Sequence, residues 1–93
     1  MPKYKFRITV EAVAAASENA VNPPALVFTA ENHDDIIALA QRTGAVDDQA
    51  RAFLVGLKLL GEAMLADRSN PLYAEFLPHF GAFMKKLKAS RAP

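Results

Sequence analysis

Cysteine and tryptophan are missing from the 93 residues, glycine occurs four times, and neither sign of charge prevails. Without cysteine there is no disulfide scaffold, no thiolate zinc site and no thiol nucleophile. Eleven basic and ten acidic residues give a formal net charge of +1, so bulk charge names no partner. The longest apolar stretch near the middle, Ala52–Leu57, ends at Lys58, far short of the ~20 residues of a membrane span. What is present is globular in character: 52% hydrophobic and 23% charged residues, with a mean hydropathy of +0.05. That balance excludes a disordered tail, a collagen-like repeat and a charged linker. The length predicts a single domain over 1–93.

The first residues, MPKYKFR followed by ITVEAVAAAS, could pass for a signal peptide. Glu11 interrupts the would-be apolar segment, and polarity alternates along it, which a signal peptide has no reason to do. A cytoplasmic protein with no membrane partner is expected. The alternation predicts a strand over residues 3–13, with Tyr4, Phe6, Ile8, Val10 and Ala12 on one face and Lys3, Lys5, Arg7, Thr9 and Glu11 on the other. Residues 14–24 lose that period and end in Asn-Pro-Pro, as a long connection does. Residues 25–31 alternate again, with Leu26, Phe28 and Ala30 inward. The two strands are expected to pair antiparallel.

Three helices should follow. Asn32 is expected to cap the first, with Asp34 and Asp35 in its first turn and Gly44 just past its end. Asp47 should cap the second, which runs to about Ala66. Asn70 should cap the third, with Pro71 at its first position. The row Leu72, Phe76, Phe80, Phe83 and Leu87 keeps helical spacing past Pro78, so Pro78 either kinks this helix or splits it. Residues 90–93 read as a flexible tail. The expected fold is α+β, order ββααα: a two-stranded hairpin packed on three helices, with the second helix central.

The second helix is the informative one. Its interior charges, Arg51, Lys58 and Glu62, fall with Val55 in a sector of about 60° at 100° per residue. The rest, from Ala50 to Ala66, is apolar or glycine, more than the single stripe of an ordinary surface helix. Such a helix should be covered on most sides. Gly56 and Gly61 each cost about 1 kcal/mol against alanine in a helix interior, which a close approach of another backbone would explain. Two strands leave two open edges, and pairing with a twin would give four. A homodimer is expected on these grounds.

No catalytic constellation emerges. His33 and His79 are the only histidines. His33, Asp34 and Asp35 are adjacent and diverge in a helical turn, whereas zinc sites need three or four converging ligands. Glu75 and His79 read as a surface pair at i,i+4. Ser17, Ser69 and Ser90 lie outside any nucleophile motif, and Gly56 and Gly61 lack a phosphate-loop ending. No enzyme, metal or cofactor is expected. Seven of the eleven basic residues lie in 3–7 and 85–91. Lys3, Lys5, Arg7, Lys85, Lys86, Lys88 and Arg91 could join into a basic patch that holds phosphates. Nucleic-acid binding through that patch is the alternative function, without an exposed aromatic to stack bases. The candidate interaction surface is Lys3, Lys5, Arg7, Val55, Gly56, Gly61, Lys85 and Lys86.

The segments K-Y-K-F-R-I-T-V-E, E-N-H-D-D-I, V-G-L-K-L-L-G-E-A-M-L and N-P-L-Y-A-E-F-L-P-H-F-G-A-F-M-K-K-L-K together resemble a small bacterial family, domain of unknown function 3861. The resemblance spans nearly the whole chain apart from the 14–24 connection. It implies a compact α+β protein of about this size and supplies no activity, catalytic residue or cofactor. It adds weight to Glu31–Asp35, Gly56, Gly61 and Glu62. The function expected is therefore that of a non-enzymatic binding protein acting as a homodimer, its other partner or ligand unnamed.

Overall fold

A computed structural model of the chain describes residues 3–14 and 23–91. Its elements are β1 (Tyr4–Val10), β2 (Leu26–Asn32), α1 (Ile36–Thr43), α2 (Asp48–Ala66) and α3 (Pro71–Arg91). The class is α+β in the order ββααα. The strands pair antiparallel in register from Tyr4 opposite Asn32 to Val10 opposite Leu26. That register puts Tyr4, Phe6, Ile8, Val10, Leu26, Phe28 and Ala30 on one face of the sheet, as the alternation requires. Residues 15–22, most of the expected connection, lie outside the described residues.

Side chains at the helix ends set the boundaries. Asp35, not Asn32, caps α1: its carboxylate accepts the Ala38 N–H at 3.3 Å. Asn32 ends β2 instead and is buried. Gly44 closes α1 with φ 72°, in the left-handed region where a Cβ is penalised. Asp47 caps α2 through Ala50 N–H at 2.8 Å, and Asn70 Oδ1 accepts Leu72 N–H at 3.0 Å. Pro78 neither splits nor ends α3, which runs unbroken to Arg91. The tail expected from residue 90 thus begins inside a helix; residues 92–93 lie outside the described residues.

Helix α2 is central, because β2, α1 and α3 all pack against it. Within one copy it is not enclosed. Only Leu54 and Met64 of α2 are buried, whereas Phe53, Leu60 and Leu65 are exposed. The α3 row is also displaced. Tyr73, Leu77, Phe80, Met84 and Leu87 are half-buried, while Leu72, Phe76 and Phe83 stay exposed. Phe83 is nonetheless edge-on to Phe53 at 6.3 Å, pinning α3 to α2. Among the described residues the buried apolar core is Ile36, Ala45, Leu54 and Met64. The chain exposes 7604 Å², against about 5,300 Å² for a folded monomer of its mass. Its radius of gyration is 15.9 Å, against about 12 Å for a globule of this length.

Candidate interaction surface

The uncovered apolar area is continuous. The sheet turns its apolar face toward α2, yet α2 reaches only part of it: Leu26 remains 61% exposed and Phe28 41%. Along α2, Ala52, Gly56, Leu59, Leu60, Ala63 and Ala66 share an arc of about 120° at 100° per residue, and between Ala52 and Ala66 no charge falls within it. Between this flank and β2 lies a groove of about 600 Å³. Its walls are Phe28–Glu31 on one side and Leu59, Leu60, Ala63 and Ala66 on the other. Successive residues of a strand point to opposite faces. A groove that touches four in a row therefore follows the strand's free edge.

A polar clasp closes one end of the groove and fastens the sheet to α2. Glu62 Oε1 accepts the His33 backbone N–H at 3.0 Å and also meets His33 Nδ1. Glu62 Oε2 is 3.3 Å from Lys3 Nζ. One turn earlier on α2, Lys58 Nζ is 2.5 Å from Asp34 Oδ2. Beneath them Asn32, 2% exposed, donates to the Lys58 carbonyl at 3.0 Å and accepts the Asp34 N–H at 3.0 Å. Both ends of its amide are satisfied, as a buried polar group requires. Burial pushes the Glu62 carboxyl upward, but the His33 N–H, the His33 ring and Lys3 outweigh it, and the net shift is downward. The Lys58 hydrogen bond chiefly holds Asp34 below its ordinary range, against a smaller upward push from burial.

The clasp inverts the expected layout of α2. The sector of Lys58 and Glu62 is where the Asn32–Asp34 junction docks, and the side left open is apolar. Arg51, in the same sector, donates from Nε to the Ala45 carbonyl at 3.0 Å. Sequence reasoning treated Asp34 and Asp35 together as helix-end carboxylates, so it missed the Lys58–Asp34 and Glu62–His33 pairings. The usable signal was that Lys58 and Glu62, one turn apart, form a row of opposite charge to Asp34 and Lys3.

The residues singled out from sequence do not form one surface. Lys3 belongs to the clasp, and Lys5 stands opposite Glu31 in the ladder. Arg7, in mid-strand, is exposed. Val55 is half-buried in a separate hollow of about 340 Å³ with Ile36 and Ala45. Gly61 does serve close packing, but against a side chain: a Cβ there would lie 3.2 Å from the Phe80 ring. A Cβ at Gly56 would meet nothing within 4 Å. Lys85 and Lys86 are exposed on α3, with no acidic partner among the described residues. Glu75 and His79 are both exposed and share no hydrogen bond. Among the described residues no three His, Asp or Glu side chains gather closely enough to hold a metal ion, and no helix is long and apolar enough to cross a membrane.

Comparison with known proteins bears on the whole chain. A family model described as a domain of unknown function with a solved structure (DUF3861) matches residues 4–89. The crystal structure of a protein of unknown function from Pectobacterium atrosepticum is similar at 38% identity with a TM-score of 0.78, over 95% of this chain and 99% of that one. No curated protein matches.

Proposed function

This chain belongs to the family of domain of unknown function 3861, and, since that membership brings no activity with it, we propose that it is a non-enzymatic binding protein whose working unit is a homodimer. The observation that carries this reading is the groove between β2 and the open flank of α2, walled by Phe28, Ala30, Leu59, Leu60, Ala63 and Ala66 with Lys3, Glu31 and Glu62 at its rim. A single copy leaves both walls wet. Contiguous apolar surface of this extent marks an interface. The clasp is absorbed in holding the sheet to α2: Glu62 and Asp34 are paired and lie low in pKa, the opposite of a carboxyl tuned toward neutrality for general acid–base work. Two cations that nucleic-acid binding would need already face carboxylates, Lys3 with Glu62 and Lys5 with Glu31 across the ladder. Sedimentation at micromolar concentration should give twice the 10.1 kDa chain mass; a monomer at every concentration tested would refute the reading.

A further inference from the structure

The chain has two free strand edges, and their side chains differ in a way that selects between them. We propose that the second copy docks along β2, so that two hairpins join antiparallel into one four-stranded sheet in the order β1-β2-β2-β1, with Thr29 on the two-fold axis. This rests on the homodimer reading above and specifies its contact.

Three observations point to β2. The first is charge. An antiparallel pair of β1 strands, centred on the seven-residue strand Tyr4–Val10, would set Arg7 against Arg7, and directly opposed like charges are unfavourable. Lysine and arginine on a strand are also a recognised guard against edge pairing. Strand β2 carries one charge, Glu31. Centred on Thr29, it sets Thr29 against Thr29, Val27 against Glu31 and Phe28 against Ala30. These are a hydroxyl pair, an uncharged neighbour for the carboxylate, and a large ring beside a small side chain. That centre also uses all seven residues of Leu26–Asn32, whereas moving it by one residue shortens the ladder by two.

The second observation is space. The groove of about 600 Å³ runs beside Phe28–Glu31 of β2, so an incoming strand meets open space along the middle of β2 and reaches the Lys3–Glu62 pair at one end. The third is what the arrival covers. Pairing continues the sheet over the open flank of α2, so Leu26 and Phe28 of one copy come to lie on Leu60 and Ala63 of the other, and the reverse. The result is two layers, a four-stranded sheet over a pair of α2 helices. This occupant also satisfies the backbone N–H and C=O groups of the edge, which apolar side chains alone would not.

The absence of cysteine makes the test clean. Thr29→Cys and Arg7→Cys are made separately in the full chain and exposed to a mild oxidant. Directly paired positions stand about 5 Å apart, within disulfide reach, whereas positions three strands apart stand about 14 Å apart. Thr29→Cys should become a disulfide-linked dimer and Arg7→Cys should not. Nitroxides on the same two cysteines should show the shorter spin–spin distance at position 29, a readout that survives if disulfide geometry is unfavourable. The reverse order of distances would move the contact to β1 and overturn the inference. A dimer by sedimentation with both distances long would overturn it too, leaving the homodimer reading intact. A chain that stays monomeric would remove both and leave the groove to an extended segment of another protein.

Discussion

Two glycines in one helix illustrate how far a single side chain reports on its surroundings. Gly56 and Gly61 carry the same penalty of about 1 kcal/mol against alanine, yet their surroundings differ. The Phe80 ring lies over Gly61, so a Cβ would sit 3.2 and 3.3 Å from two ring carbons and push α3 outward. Overpacking of that kind costs as much as the helix gains, or more. At Gly56 a Cβ meets nothing within 4 Å. Gly56→Ala should therefore raise the free energy of unfolding by about 1 kcal/mol, while Gly61→Ala should leave it unchanged or lower it. Urea midpoints of the two variants decide the matter. A loss of stability at Gly56 only at concentrations where two copies associate would place the partner against that turn of α2.

Between elements the decisive contact is the clasp from the β2–α1 junction to α2, and it carries a pH signature. Glu62 has a folded pKa below its ordinary 4.5 and Asp34 one below its ordinary 3.8. A depressed carboxyl stabilises the fold while it is ionised. The contribution is full above the unfolded value and disappears as the pH falls through the folded one. Stability should thus hold near neutrality and decline below pH 4.5. Glu62→Gln should unfold at lower urea than the parent at pH 7, and the gap should narrow as the pH falls below 4.5, where the unfolded parent takes up a proton that the folded carboxylate resists. A gap independent of pH would detach Glu62 from the effect. Much of this level was legible in advance. Alternation placed β1 and β2 within three residues at each end, and Asp47, Gly44 and Asn70 marked helix ends by chemistry that acts within one turn. The cap of α1 was misplaced because Asn32 and Asp35 both suit an N-cap, and only the burial of Asn32 under Lys58 and Asp34 separates them. The clasp left only the charge row of Lys58 and Glu62 as a signal, and the displaced α3 row left none. Each depends on how an element is rotated about its axis, and that is fixed by contacts far apart in sequence, such as Phe80 on Gly61 and Glu62 on Lys3.

The apolar character of α2 was legible in the sequence, and the homodimer expected from it assigns part of its cover to a second copy. A helix can be apolar over most of its circumference because its own chain surrounds it or because another molecule does, and composition is the same in both cases. In a single copy Leu60 is 46% exposed and set in the groove wall, so a substitution there tells the two cases apart. For an isolated chain, Leu60→Glu is a surface change, worth within about 0.5 kcal/mol. In the proposed homodimer it would place an unpaired carboxylate inside an apolar contact, at a cost of several kcal/mol in association. The same substitution thus has a small effect on one copy and a large effect on two. A dimer that binds only in the folded state also makes the melting temperature rise with concentration. The parent chain should melt higher as its concentration is raised, and Leu60→Glu should sediment at 10.1 kDa with a melting temperature independent of concentration and helix content near that of the parent. If Leu60→Glu instead sediments and melts as the parent does, the open flank of α2 is not where the copies meet, and the groove is not the binding surface.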